Sequence, residues 1–242
     1  VKNKDSLGDR MKSFYEDRTR IYLVRKTYTI IRIDGKSFHS YTKGFDRPFD
    51  WNLISMMDET AKYLCQNIMG AKFAFVQSDE ISILLTDFDS IKTEAWFDNN
   101  LQKMASVSAS MATRSFNEKY LNRFGSECMR WAEFDSRVFQ IPQLEEVINY
   151  FIWRQQDTTR NSVSSVAQSL YSSKELHGKN QSDMQEMIFQ KGINWNDYDP
   201  KLKRGRSIEK RSYEKNMTVR TEWVSVAPPI FTEDKDYISS LT

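Results

Sequence analysis

Between Tyr28 and Ile141 the apolar residues switch repeatedly between strand-like and helix-like spacing, and the order of those switches leaves few folds open. From Tyr28 to Ile33 the string YTIIRI is β-branched and apolar and stops at Asp34-Gly35, a pair suited to a turn, so it reads as a buried strand. Asp50 is placed to cap a helix in which Leu53, Met57, Ala61, Leu64 and Ile68 recur at helical spacing before Gly70. Phe73 to Gln77 and Ile81 to Leu85 are short apolar runs on either side of Ser78-Asp79-Glu80, which predicts a hairpin with an acidic tip. A second helix is expected over about Glu94 to Phe116, and Trp131 to Ile141 returns to strand character with a break near Asp135. Strand, helix, strand, strand, helix, strand is the split βαβ order. It predicts an α+β, ferredoxin-like fold (βαββαβ) whose antiparallel sheet carries both helices on one face, the plan that a polymerase palm also uses.

Beyond Pro142 the pattern is helical to about Leu170, with Leu144, Val147, Ile148 and Phe151 as its apolar stripe before the polar segment WRQQDTTRN. Ser172 to Ser182 offers little to bury and is expected to be weakly ordered. A short helix ends at Gly192, and GINWNDYDPKLKRGR then mixes aromatics, turn residues and a basic run. The chain is therefore expected to divide into a palm-like domain with an N-terminal helix, 1–141, the candidate for any catalysis, and a C-terminal helical and basic extension packed on it, 142–242, the candidate for any RNA binding.

Bulk properties exclude little but guide the search. The formal net charge of +2 is too small to mark a nucleic-acid binder, so any such binding must come from local clusters. No apolar run approaches membrane-spanning length, and no charged start followed by an apolar stretch suggests a signal peptide. Cys65 and Cys128 lack the spacing of a zinc or redox motif, which makes a reducing cytoplasm the expectation.

The predicted topology brings Asp34, at the end of the first strand, toward Asp79, at the tip of the neighbouring hairpin. Two close carboxylates repel unless a cation sits between them, and Mg²⁺ takes such hard oxygen ligands while keeping waters and substrate phosphates. Gly35 would let a backbone carbonyl approach a metal unobstructed. On spacing alone, both acidic segments are better explained as ordinary turns than as a metal site.

Longer strings carry more. RIDGKSFHSYTKGFDRPFD from Arg32 to Asp50, QSDEISILL from Gln77 to Leu85, FDSR from Phe134 to Arg137, WRQQD from Trp153 to Asp157 and GINWNDYDPKLKRG from Gly192 to Gly205 stand in this order. Together they resemble the blocks of the tRNA-histidine guanylyltransferase superfamily, polymerases that extend RNA at its 5′ end. The resemblance runs from near Arg10 to near Lys210. It implies a metal-dependent nucleotidyltransferase in which Asp34 and Asp79, with the Gly35 carbonyl, ligate two Mg²⁺ ions and Glu80 lies close to the chemistry. Lys36, Ser37, Phe38, His39, Arg47, Ser78 and Lys103 would hold the triphosphates of ATP and GTP, the expected substrates. Arg137, Trp153, Arg154, Asn161, Lys201, Lys203, Arg204 and Lys210 would hold tRNA, and the assembly implied is a homotetramer, a dimer of dimers.

Departures from the family pattern narrow the reading. Eukaryotic members carry HINNLYN after the WRQ block, whereas this chain has Thr159-Arg160-Asn161-Ser162-Val163-Ser164-Ser165, keeping only Asn161. Asn99 and Asn100 stand where many relatives have two arginines. The chain thus looks more like the bacterial and archaeal guanylyltransferase-like proteins, template-dependent 3′-5′ polymerases that repair 5′-shortened tRNA. Strict addition of one guanosine to the histidine tRNA is the alternative. A nucleotide cyclase on the same palm, or a non-catalytic RNA-binding module, are rivals from other classes.

Overall fold

The computed structural model describes residues 6–242 apart from Met129 and Met217. A six-stranded sheet runs in the order β4-β1-β3-β2-β5-β6, with β1 at Tyr28–Gly35, β2 at Ala71–Gln77, β3 at Glu80–Leu85, β4 at Phe134–Ile141, β5 at Arg206–Lys215 and β6 at Thr218–Val226. Every pairing is antiparallel. Helix α1 (Trp51–Asn67) links β1 to β2 and α2 (Leu101–Phe124) links β3 to β4, so the first four strands have the expected βαββαβ order.

Strand alternation decides what each face meets. Ile31 and Ile33 of β1, with Ala74, Val76, Ile81 and Ile83 beside them, pack against Met56, Met57, Ala61 and Leu64 of α1 and Met104, Ala112 and Phe116 of α2. Ile30, Phe73, Phe75 and Leu84 point the other way, onto Val147, Tyr150 and Phe151 of α3 (Leu144–Leu170). The sheet is thus covered on both faces. Farther along α3, Val163, Val166 and Ala167 build a third cluster with Leu176, Ile188 and Trp195. Leu176 closes α4 (Ser173–Leu176), Ile188 belongs to α5 (Gln181–Gln190), and α6 (Pro200–Arg204) leads into β5.

Several sequence expectations are corrected. Helix α2 begins at Leu101 rather than Glu94, because Phe97, Asp98 and Asn99 hold left-handed backbone (φ 51, 51 and 58) and Asn100 caps the helix by accepting from the Lys103 N–H. It also runs on to Phe124, where Gly125 ends it. Strand β4 starts at Phe134, not Trp131, and has no break at Asp135, which pairs with Asp34. The segment expected to be weakly ordered instead holds α4 and the start of α5, each opened by a capping box, Ser172 with Glu175 and Asn180 with Asp183. The basic run after Gly205 conceals a hairpin: Arg206 to Glu209 are buried beside β2, and the strands continue past the sheet as an exposed ribbon. Charged residues on both faces of that ribbon hide its strand period. No described helix is long and apolar enough to cross a membrane.

Candidate active site

Asp34 is the last side chain of β1, and its register partners are Glu80 on β3 and Asp135 on β4. Directly opposed residues share a sheet face, so three carboxyl groups stand in a row at one end of the sheet, on the α3 side. Asp79 completes the group from the two-residue turn between β2 and β3, where Ser78 is left-handed (φ 44). The Gly35 N–H donates to the Asp79 carbonyl at 3.1 Å, which fastens the end of β1 to that turn.

Gly35 is required for a reason not visible in the sequence. A Cβ there would stand 2.2 Å from the Phe38 ring, which lies flat against the strand end and packs on Tyr41, Phe116 and Phe134. The chain then turns through Ser37 (φ 56) into a short helical turn, Phe38–Tyr41. Next to this turn a cavity of about 410 Å³ opens between Lys36, Ala109, Ser110, Thr113 and the Glu133 to Asp135 stretch.

Electrostatically the acids are uncomfortable as anions. Burial, then the charge of Glu80, pushes the Asp34 carboxyl above the ordinary range. Burial pushes Asp79 up to about 6, opposed by the Ser78 hydrogen bond and aided by the charges of Asp34 and Glu80. A cation between them would relieve both. Among the described residues no three acidic, histidine or cysteine side chains surround one point. The available donor set is therefore two carboxylates with nearby backbone carbonyl oxygen, which suits an ion that completes its shell with water and phosphate, as Mg²⁺ does.

Other residues singled out in the sequence fall into different places. Ser37, His39 and Ser78 are exposed near the strand end, Arg47 is exposed in the loop before α1, and Lys103 is exposed in the first turn of α2. The Lys36 N–H is already used by the Glu133 carbonyl at 2.8 Å, and its ammonium pairs with the Glu133 carboxylate, so this residue presents no free amide to a phosphate. Glu80 is not a free carboxylate: Arg154 grips it through two bonds of 2.8 Å and Arg32 through a contact of 2.7 Å. Arg154, expected at an RNA surface, is accordingly buried, with a side-chain exposure of 4%. Lys203 is buried as well, donating to the Asn196 carbonyl and lying over the Trp195 ring. Lys201 reaches the Ser225 carbonyl at 3.2 Å. Arg204 is half-buried, and Arg137, Asn161 and Lys210 are exposed. Trp153 leaves half its surface open, with the Arg154 guanidinium 4.3 Å and that of Arg32 6.0 Å from its ring centre. Arg32 and Asp135 are the neighbours that sequence reasoning passed over. Counting alternate positions back from Asp34 and across the sheet was the signal available for both.

A model of the Thg1 family, tRNAHis guanylyltransferase, matches residues 8–142. The probable tRNA(His) guanylyltransferase of Dictyostelium discoideum is 28% identical over 203 residues, covering 78% of this chain and 77% of the relative. Among solved structures, a bacterial tRNA(His) guanylyltransferase (Thg1)-like protein in complex with ATP is 48% identical with a TM-score of 0.90, covering 98% of this chain and 99% of that one. The corresponding GTP complex superposes with a TM-score of 0.85. The likeness to these bacterial proteins extends through α3 and the β5–β6 hairpin, well past the family match. The chain is a nucleotidyltransferase and belongs to the tRNAHis guanylyltransferase family.

Proposed function

We propose that the protein adds nucleotides to the 5′ end of tRNA in the 3′-5′ direction, repairing shortened ends by following the opposite strand. The observation that carries this reading is the meeting of Asp34 and Asp79 at the Gly35–Asp79 backbone bond, both carboxyls being raised by burial and by neighbouring negative charge. Asp34, Asp79 and the Gly35 carbonyl would hold two Mg²⁺ ions. Bound there, the metals would neutralise phosphate charge and lower the pKa of an attacking hydroxyl.

The RNA 5′-phosphate attacks the α-phosphorus of ATP or GTP and releases pyrophosphate. The 3′-hydroxyl of an incoming nucleoside triphosphate then attacks the activated end and releases the nucleoside monophosphate. Both steps are phosphoryl transfers that need in-line positioning and charge stabilisation rather than a protein nucleophile. Ser37, Phe38 and His39, with Arg47, Ser78 and Lys103, would position triphosphates through backbone amides and polar side chains. ATP and GTP are the expected activators because the bacterial relatives are seen with them. The half-open Trp153 ring would stack on an RNA base, while Arg137, Asn161, Arg204 and Lys210 offer exposed or part-exposed contacts. The free thiols Cys65 and Cys128 fit a reducing cytoplasm.

Labelled nucleotides offered with a panel of 5′-truncated and full-length tRNAs test the reading. Template-following addition to several tRNAs, abolished by Asp79→Ala in a folded protein, is the expected result. Guanosine addition confined to the histidine tRNA would replace repair with strict guanylylation. Thr159, whose hydroxyl is turned back onto the Gln155 carbonyl where eukaryotic members have a histidine, favours repair. Retained addition by Asp79→Ala would overturn the metal assignment.

A further inference from the structure

Arg154 and Glu80 form the most buried ion pair beside the candidate metal site, and neither faces open solvent. The Arg154 Nε donates to one Glu80 oxygen and Nη2 to the other, both at 2.8 Å, while Nη2 also reaches Asp157 at 3.0 Å. Glu80 in turn accepts from the Gln77 amide at 3.2 Å and holds the Arg32 Nη2 at 2.7 Å. That same Arg32 nitrogen lies 3.9 Å from the Asp34 carboxylate, and the buried Arg32 Nε has no partner. A continuous chain of charges thus runs from α3, through β3, to the last side chain of β1.

A buried ion pair contributes little net stability, because desolvation of both charges offsets their attraction. Its consequence here is geometric. Glu80 is pinned from both sides, so Arg32 is held beside the Asp34 carboxylate. Residues that orient a metal ligand without touching the metal tune its affinity strongly. We propose that Arg154 is a positioning residue: acting through Glu80 and Arg32, it fixes the Asp34 carboxylate and thereby sets the cation affinity of the site. This inference rests on the metal reading of Asp34 and Asp79.

The test uses the full chain and measures the Mg²⁺ dependence of the melting temperature without nucleotide, RNA binding in EDTA over a salt series, and steady-state nucleotide addition. Arg154→Met should raise the Mg²⁺ midpoint by about 10-fold and lower kcat by a similar factor. RNA affinity, its salt slope and the KM for RNA should stay within about two-fold. Arg154→Lys, which keeps the charge but loses the two-pronged grip, should fall between wild type and Arg154→Met. Because Arg154→Met leaves the buried Glu80 with Arg32 as its remaining guanidinium partner, the pair Arg154→Met with Glu80→Gln provides a variant with neither charge of the Arg154–Glu80 pair. Its Mg²⁺ midpoint should equal that of either single variant, since groups acting in series are not additive. Additive shifts would overturn the chain. An unchanged Mg²⁺ midpoint, with weaker RNA binding and a salt slope shallower by about one, would make Arg154 a phosphate contact instead. If wild type shows no Mg²⁺ response, the metal reading fails and takes this inference with it. A normal wild-type response that Arg154→Met does not alter sinks this inference alone.

Discussion

At the residue scale, burying the Asp34–Asp79 pair, the proposed cation site, costs stability with a definite dependence on pH. The folded protein holds a proton on Asp79 up to about pH 6, above the ordinary carboxylate range, so it binds more protons than the unfolded chain in that window. Stability is therefore greatest at the acid end of the window and falls as pH rises through about 6. Asp79→Asn removes the buried charge and is expected to stabilise the metal-free protein at pH 7.5 by roughly 1–3 kcal/mol, and at pH 4.5 by about a third of that. Denaturant melts at both pH values measure it, and a loss of stability at pH 7.5 would contradict the burial argument. Gly35→Ala should cost about 1–3 kcal/mol, since the new methyl meets a ring that Tyr41, Phe116 and Phe134 already hold. The sequence showed that glycine but suggested a different use for it, because the clash involves a ring that comes near only after the chain has turned back.

At the scale of elements, α3 is the piece that covers the second face of the sheet. Phe151 lies fully buried against Phe73, ring centres 4.9 Å apart, so Phe151→Ala should cost about 3–5 kcal/mol by chemical denaturation. Lys103→Ala, on the exposed face of α2, should leave stability within about 0.5 kcal/mol and raise the KM for the nucleoside triphosphate. An unchanged KM would return that lysine to the solvated face of its helix. The apolar period of α1 and α3 was legible directly because each buries one stripe. The start of α2 was not, since left-handed backbone at Phe97 to Asn99 has no periodic signature. The β5–β6 ribbon escaped notice for the same kind of reason, as its outer half buries no side chain that would impose alternation.

For the whole molecule, the helical turns over residues 6–19 bury no side chain and display Leu7, Met11, Phe14 and Tyr15 to solvent, with Ile21, Tyr22 and Val24 exposed just beyond. Apolar surface gathered in one segment favours association. A homotetramer, a dimer of dimers, is the proposed assembly. Light scattering should report four times the 28.6 kDa chain mass, and Phe14→Ser with Tyr15→Ser should lower it. A monomer at micromolar concentration would refute the assembly.

The sequence by itself determined the order of strands and helices through Ile141, the two acids that end β1 and tip the β2–β3 turn, and the family, because strand period, helix period and short motifs are local properties. Only the tertiary structure decided that Glu80 and Arg154 answer each other across 74 positions of chain, that Lys203 is buried, and that the second face of the sheet is closed. Burial and pairing depend on what the folded chain brings alongside, and a charged residue looks the same in a string whether it meets water, RNA or another charge.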